Sequence, residues 1–261
     1  MKSIHDTIIA TLREIETTHQ VHILYAAESG SRAWGFASKD SDYDVRFVYR
    51  HPLQWYITIE GKTDVIEHPM IGQLDIRGWD IRKALSLYKK SNPPLYEWLV
   101  SPTVYIEKDT FAQQLRSLMP TYYSPTASIH HYLHMAKGNY RQYLQGSVVW
   151  VKKYLYVLRP IFACMWIAHY NTQPPMEFSK ILAGLPLDTA VKEEVGRLCE
   201  RKKSGEELDK QNRIAVLNDF LDENIGYFEE YAQEIKSERN TKADLSRLDR
   251  ILYETLKKAP E

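Results

Sequence analysis

Two aspartates, Asp42 and Asp44, stand one residue apart in the segment ESGSRAWGFASKDSDYDVRFVY (residues 28–49), directly before an apolar run. Because side chains alternate faces along a strand, the two carboxylates are expected to point the same way. Their repulsion costs stability unless a positive charge lies beside them. Carboxylate oxygens on one face suit Mg²⁺, which takes one or two carboxylates and leaves positions for phosphate oxygens. The sequence therefore predicts a metal site at Asp42 and Asp44.

A Gly-Ser pair, Gly30 and Ser31, follows the strand candidate VHILYAAES, and ten residues separate Ser31 from Asp42. Glycine lets the backbone approach a ligand closely, and a helix that begins here would direct free N–H groups at a phosphate. The Ser31 hydroxyl can donate to a phosphate oxygen, and Arg32 adds positive charge. We therefore predict a nucleotide-binding phosphate cradle at Gly30, Ser31 and Arg32, beside the metal site.

A third carboxylate would complete a two-metal site, in which cations about 3.5–4 Å apart stabilise the attacking and leaving oxygens. Asp75 in QLDIRG is the preferred candidate, because Leu74 and Ile76 face one side of a period-2 strand and Asp75 the other. It would bind metal or act as base for an attacking hydroxyl. Asp64, before VIEH, is the alternative.

Hydrophobic periodicity predicts the elements that hold these residues in the first 108 positions. An amphipathic helix opens the chain, with isoleucine or leucine at positions 4, 8, 12 and 15. Strand-like segments follow: VHILYAAES, YDVRFVYRH, GQLDIRGW, and a hairpin of QWYITIE and TDVIEHP about Gly61–Lys62. Asp80 is placed as N-cap of a helix in DIRKALSLYKK, and PLYEWL predicts a short helix. Residues 1–108 are therefore predicted to form an α/β (α+β) head with a mixed sheet.

From residue 109 onward strand signals fade, and apolar residues recur at spacings of three and four, including SVVWVKKYLYVLRPIFACMWIAHY. The longest apolar stretch, PIFACMWIAHY, is too short to span a bilayer. We therefore predict an all-α helical bundle domain over residues 109–261. Such a bundle could also pair with a second copy, so a homodimer is a further expectation.

Composition limits the classes of protein and partner. The chain has 261 residues, and 34 Lys plus Arg balance 34 Asp plus Glu. Zero net charge argues against a protein that coats nucleic acid but permits a local basic groove. Two cysteines, Cys164 and Cys199, fit neither a disulfide framework nor a zinc site. Without a signal-peptide pattern at the start, the sequence predicts a cytoplasmic protein with no membrane partner.

The order of these motifs (strand, Gly-Ser, ten residues, Asp-x-Asp, then a later strand with one aspartate) resembles the polymerase-beta nucleotidyltransferase superfamily. The segments SGSRAWGFASKDSDYDVRFVY, LDIRGWDIRKALSLYKKSNPPLYEWLVSP and KGNYRQYL…VKKYLYVLRPIFACMWI are similar to the RNA-ligase-associated predicted nucleotidyltransferases of bacteria and phages. The resemblance implies metal ligation by Asp42, Asp44 and Asp75, and triphosphate contact at Gly30 and Ser31.

The reaction expected is Mg²⁺-dependent transfer of a nucleoside monophosphate from an NTP, in the first place ATP, to an acceptor hydroxyl with release of pyrophosphate. Two Mg²⁺ ions are expected, with Mn²⁺ as a substitute. The family name points to an RNA 3′ end as acceptor. Transfer to a small molecule such as an aminoglycoside, or to a protein hydroxyl, is the second enzymatic hypothesis. A catalytically idle nucleotide-binding module of the toxin–antitoxin type is the third.

Two predicted helix faces combine basic and aromatic residues at spacings of three and four: Lys137, Tyr140 and Arg141 on one, and Lys152, Tyr156 and Arg159 on the next. Such a face could hold a triphosphate and stack a base, or lie in solvent with its tyrosines half-buried. Lys137 and Lys152 are the preferred phosphate contacts.

Overall fold

A computed structural model describes residues 3–206, 208–235 and 245–258. They fall into two compact units, and each unit is described by itself. The sheet unit contains the described residues of 1–33, 42–122 and 240–261, and the helical unit those of 34–41 and 123–239. Within these ranges, none of the helices combines the length and the apolar character that a membrane span requires.

The helices are α1 (Ile4–His19), α2 (Gly30–Trp34), α3 (Leu53–Tyr56), α4 (Ile81–Lys89), α5 (Pro93–Leu99), α6 (Phe111–Tyr122), α7 (Pro125–Tyr143), α8 (Lys153–Tyr170), α9 (Phe178–Gly184), α10 (Thr189–Lys203), α11 (Ala215–Glu234) and α12 (Leu245–Lys257). The strands are β1 (His22–Ser29), β2 (Tyr43–Arg50), β3 (Val65–Glu67), β4 (Leu74–Asp80), β5 (Val104–Glu107), β6 (Val148–Trp150) and β7 (Lys210–Asn212).

The sheet unit is built on five strands in the order β3-β4-β2-β1-β5. β2 and β4 run parallel, while the other neighbouring pairs are antiparallel. A parallel pair needs a crossover, and here α3 and β3 lie within it. The apolar stripe of α1, with Ile8, Leu12 and Ile15, packs with the buried residues of β1, β2 and β4 in one core. The predicted fold class is confirmed: a mixed sheet with helices, followed by a helical region.

The helical unit has its core around α8, which is apolar on nearly all sides and mostly buried. Helices α7, α10 and α11 contribute to this core, and Phe36 joins it from the segment 34–41. A second core is formed by other residues of α7, α8 and α11. Strands β6 and β7 form a separate antiparallel pair, so the region after residue 108 is not all-α as predicted. Cys164 and Cys199 are both buried and free.

The predicted hairpin about Gly61–Lys62 is wrong. The first half of QWYITIE lies in helix α3, and β3 pairs with β4 instead. Aromatic contacts hold the helix: the Trp55 ring stacks on His51 with centroids 4.0 Å apart, and the Tyr56 hydroxyl donates to Asp80 Oδ2 at 2.7 Å. Aromatic residues favour strands only where they pack on a half-buried sheet surface, and here they pack elsewhere.

The two compact units are not separated by the single boundary after residue 108 that the sequence predicted. Helix α6 packs on α5 and β1, and α12 packs on α4 and α6, so both belong to the sheet unit. The segment 34–41, between the Gly-Ser pair and the aspartates, belongs to the helical unit. An amphipathic stripe shows that a helix face is covered, but it does not show which partner covers it.

Candidate metal and phosphate site

The parallel pairing of β2 with β4 determines which carboxylates meet. Asp44 is the register partner of Asp75, so both side chains lie on the same face of neighbouring strands. Asp42 lies one residue before β2 and is exposed. The structure therefore brings Asp44 and Asp75 together, with Asp42 at the edge of the same site.

Arg46 supplies the positive charge that these carboxylates require. Its Nη2 donates to Asp44 Oδ1 at 3.0 Å and to Asp75 Oδ2 at 2.8 Å, and its Nη1 donates to the Asp75 carbonyl at 2.8 Å. Arg77 Nε donates to the other Asp75 oxygen, Oδ1, at 3.0 Å. Two carboxylates thus converge on one cationic nitrogen, and both oxygens of Asp75 are engaged.

The two carboxylates respond differently to this environment. Burial raises the pKa of Asp44 above its ordinary value; Arg46 opposes the shift, and the negative charges of Asp75 and Asp42 add to it. Burial also acts to raise the pKa of Asp75, but hydrogen bonds from Arg46 and Arg77 outweigh it, so that pKa is lowered. The second guanidinium explains why Asp75 is the better stabilised anion.

Gly30 lies against Asp44. Its φ of +60° is in the left-handed region, and a Cβ built on it would overlap Asp44 Oδ2. Only glycine combines this conformation with this close approach. Ser31, the next residue, is 6% exposed, and its hydroxyl makes no hydrogen bond within the described part of the chain. Helix α2 begins at Gly30 and has only five residues, so its dipole is small. Contact of its N–H groups with a phosphate stays a prediction.

Arg32 lies beside the entry to β2. Its Nε donates to the Asp42 carbonyl at 3.1 Å, and its guanidinium lies 3.7 Å from the centroid of the Tyr43 ring. These contacts fix the backbone that carries Asp42. Contact of Arg32 with a phosphate stays a prediction.

Glu28 is a residue of this site that sequence reasoning missed. It is 2% exposed; its Oε1 accepts the Asp44 N–H at 2.8 Å, and its Oε2 accepts the Tyr105 hydroxyl at 2.5 Å. Burial raises the pKa of Glu28 despite these hydrogen bonds. An acidic residue at the end of an apolar strand is the sequence signal that could have identified it. Arg46 and Arg77 were missed too, although each stands two positions from an aspartate and therefore on the same face.

The donors fit a hard divalent cation. Asp44 and Asp75 already share one cationic atom, and their oxygens are ligands that Mg²⁺ prefers. Among the residues that the structure describes, no group of three His, Cys, Asp or Glu side chains is arranged to hold a metal. Two carboxylates suffice when phosphate oxygens complete the coordination. The two-ion site with Asp42 as a further ligand stays a prediction.

Asp64, the alternative third carboxylate, lies elsewhere. Its Oδ1 accepts Lys83 Nζ at 2.9 Å. It directly precedes β3, whose Val65 pairs with Trp79, near the end of β4 opposite to Asp75. The structure therefore separates Asp64 from the pair Asp44 and Asp75.

Lys137 and Lys152 belong to the helical unit. Lys137, on α7, forms an ion pair with Glu229 of α11, so a phosphate would compete with this carboxylate. Lys152 lies just before α8, with its Nζ 5.2 Å from the centroid of the Trp150 ring. Their contact with a triphosphate stays a prediction.

Comparison with known proteins addresses the family. Residues 4–254 match the RNA repair pathway DNA polymerase beta family. "Uncharacterized protein YcgL" of Bacillus subtilis (strain 168) is 50% identical over 249 residues, which cover 95% of each chain. The crystal structure of a nucleotidyltransferase-like protein from Exiguobacterium sibiricum 255-15 is 12% identical, with a TM-score of 0.31, and the match covers 95% of this chain and 89% of that one.

The likeness to that crystal structure has too low a TM-score to bear on the fold, which rests on the strand order and register given above. The family match confirms the resemblance that the Gly-Ser and Asp-x-Asp motifs indicated. It spans nearly the whole chain, including α9 to α11, where the sequence offered no motif of its own. The chain therefore belongs to the RNA repair pathway DNA polymerase beta family, which is one of polymerase-beta-type nucleotidyltransferases.

Proposed function

We propose that the chain is a Mg²⁺-dependent nucleotidyltransferase that transfers a nucleoside monophosphate from ATP to the 3′-hydroxyl of an RNA and releases pyrophosphate. One observation carries the proposal: Asp44 and Asp75, in register on parallel strands, converge on a single cationic nitrogen. The family description, which names RNA repair, supports an RNA acceptor.

The residues of the sheet unit have distinct roles in this reaction. Asp44 and Asp75 would hold the cation, with Asp42 as a further ligand. Bound Mg²⁺ supplies charge neutralisation at the phosphates and polarises the reacting phosphoryl group. Ser31 donates its hydroxyl to a phosphate oxygen. Since both oxygens of Asp75 accept from guanidinium groups, this side chain is placed to hold charge rather than to remove the acceptor's proton.

Positioning and charge neutralisation dominate such a mechanism, because phosphoryl transfer needs little covalent work from the protein. Arg46 aligns the two carboxylates, and Arg46 and Arg77 together lower the pKa of Asp75. Glu28 fixes the backbone of Asp44 through its N–H. The geometry of Asp44 and Asp75 is thus determined by strands and not by loops.

The test measures incorporation of α-labelled ATP into a short RNA in the presence of MgCl₂. We expect Asp44→Asn and Asp75→Asn to lower the rate by roughly a thousandfold or more, because each removes a carboxylate that neutralises charge in the transition state. Asp64→Asn is the matched control, since this aspartate pairs with Lys83 away from the site. An RNA with a 3′-deoxy end should accept no label.

Equal incorporation by wild type, Asp44→Asn and Asp75→Asn would refute the assignment of the site. Labelled ATP with a cell lysate, followed by separation of RNA, protein and small molecules, tests the acceptor. Label in protein or small molecules would replace the RNA acceptor and retain the transferase. ATP binding without pyrophosphate release would favour a non-catalytic nucleotide-binding module.

A further inference from the structure

Three lysines of the helical unit lie together near the start of α8. Lys152 directly precedes α8, Lys153 begins it, and Lys202 is in the last turn of α10. The Lys152 N–H donates to the Leu208 carbonyl at 3.0 Å, and β6 pairs with β7. These backbone contacts tie the start of α8 to the segment that follows α10. Lys153 and Lys202 lie over the same ring, that of Tyr156, and the charge of Lys152 acts on both of them. The three ammonium groups, called the lysine cluster below, therefore lie in one region.

Aromatic rings support the lysine cluster. Lys153 and Lys202 both lie over the Tyr156 ring, with their Nζ atoms 5.3 Å and 5.1 Å from its centroid. Lys153 also lies 4.4 Å from the centroid of Tyr143, and Lys202 lies 5.3 Å from that of Phe36. A ring face attracts an ammonium weakly, by about 0.5–1 kcal/mol at an exposed site.

The lysine cluster has no carboxylate partner among the residues that the structure describes. None of the three lysines forms an ion pair with a carboxylate within the residues described above. Other lysines of the same unit do: Lys137 pairs with Glu229, Lys180 with Glu177 and Lys203 with Glu200. Lys203 is the residue next to Lys202, so the contrast does not arise from a general lack of acids on α10.

The three ammonium groups of the lysine cluster repel one another in the folded chain. Burial lowers the pKa of Lys202, and the charges of Lys152 and Lys153 lower it further. Burial and the charge of Lys152 likewise lower the pKa of Lys153. Ring faces offset only part of this cost, whereas an anion of multiple charge would reverse the sign of the interaction. Phosphate is such an anion, and lysine binds it as a point charge.

We propose that Lys152, Lys153 and Lys202 form a phosphate-binding site of the helical unit. Its ligand is a phosphate group, either from the triphosphate of ATP or from the backbone of an acceptor RNA. The choice of these two sources rests on the proposed function, but the presence of an anion site does not. Of the three residues, Lys152 is the one that the sequence predicted as a phosphate contact.

The experiment titrates inorganic tripolyphosphate into the full chain by calorimetry, at low salt and with EDTA, so that no metal bridges the anion to the carboxylates. We expect Lys153→Gln and Lys202→Gln each to weaken binding by about tenfold, the effect of losing one charge-assisted contact. Lys203→Gln is the matched control and should bind as wild type does, because its ammonium already pairs with Glu200. Thermal melting of each variant verifies folding.

Separate titrations with ATP and with a short single-stranded RNA identify the source. Weaker ATP binding alone in Lys153→Gln and Lys202→Gln assigns the site to the triphosphate, and weaker RNA binding alone assigns it to the RNA backbone. If both variants bind tripolyphosphate, ATP and RNA as wild type does, the proposed site is refuted.

Failure of this inference and failure of the proposed function are distinguishable. Normal transfer of labelled nucleotide with unchanged tripolyphosphate binding in the lysine variants would refute the phosphate site alone. Lysine-dependent tripolyphosphate binding in a wild-type chain that transfers no nucleotide would refute the transferase alone.

Discussion

The sheet unit and the helical unit each gather charges of one sign, but they balance them differently. Asp44 and Asp75 accept hydrogen bonds from Arg46, and Asp75 also accepts one from Arg77. The lysine cluster has ring faces as neighbours and, among the residues described, no carboxylate partner. One group therefore carries its counter-ions in its own strands, and the other does not.

This difference indicates what each group needs from outside the chain. Carboxylates that are aligned by guanidinium groups keep their geometry without a ligand, which makes the sheet site preorganised. Ammonium groups that lack counter-charges reach a lower free energy when an external anion joins them. Stability should thus depend on the internal cation in the sheet unit and on an added anion in the helical unit.

Arg46→Ala is expected to cause the largest change in the free energy of unfolding. Removing one partner of a buried ion pair costs roughly 3–5 kcal/mol. The Arg46 side chain keeps 16% exposure, so we expect a loss near the low end, about 3 kcal/mol. Urea denaturation at low salt in EDTA measures it. Adding Mg²⁺ should recover more stability in the variant than in wild type, because a second cation then replaces the lost charge.

The Arg46 prediction has two controls. Arg250→Ala breaks a solvent-exposed pair with Glu254 and should change stability little. Asp75→Asn added to Arg46→Ala should restore part of the lost stability, since it removes one of the two repelling carboxylates. An unchanged urea midpoint in Arg46→Ala would contradict the role of the guanidinium as counter-charge.

Gly30→Ala tests the close packing of the backbone on Asp44. The substitution places a Cβ on a residue with a left-handed φ of +60°, and this Cβ overlaps Asp44. We therefore expect the free energy of unfolding to fall by about 2 kcal/mol. Gly35→Ala is the matched control, because Gly35 also has a positive φ, +86°, but no atom lies within 4 Å of its Cβ position. Strain alone should cost about 1 kcal/mol there. Equal losses in both variants would show that Gly30 does not pack on Asp44.

Much of the sheet could be predicted from the sequence because local patterns decide it. The apolar runs predicted β1 and β2, and alternation in QLDIRG predicted β4 with Asp75 on one side. Asp80 caps α4 as predicted, accepting the Arg82 N–H at 2.8 Å. The same period-2 rule places Arg46 on the face of Asp44, so the counter-charge was available to sequence reasoning.

Other features depend on contacts between distant segments, which local patterns do not encode. The register that sets Asp44 opposite Asp75 is a property of two strands and not of either alone. In SVVWVKK the helical pattern was misleading for residues 148–150, because β6 pairs with β7 there and α8 begins only at Lys153. Nothing near Lys202 in the sequence indicates that it meets the lysines of α8.

The smallest expected effect is on the lysine cluster itself. Lys202→Gln removes one of three like charges, so the variant should be as stable as wild type or more stable, within about 0.5–1 kcal/mol. Burial lowers the pKa of Lys202, the charges of Lys152 and Lys153 at the start of α8 lower it further, and the Cys199 side chain of its own helix opposes the shift. Lys203→Gln, which breaks an exposed pair, should change stability little.

The sign of the pH dependence follows from the lowered pKa of Lys202. In the window just below the ordinary lysine pKa of about 10.4, the folded chain has released this proton while the unfolded chain still binds it. The charged form of Lys202 destabilises the folded chain, and this destabilisation is full at lower pH. It is lost as pH rises through that window, so the free energy of unfolding increases there. The advantage of Lys202→Gln over wild type in urea should accordingly be largest near neutral pH and should shrink as pH rises through the window. An advantage that grew with pH would show that the ammonium is stabilised in the folded chain, and would place a counter-charge of the protein beside it.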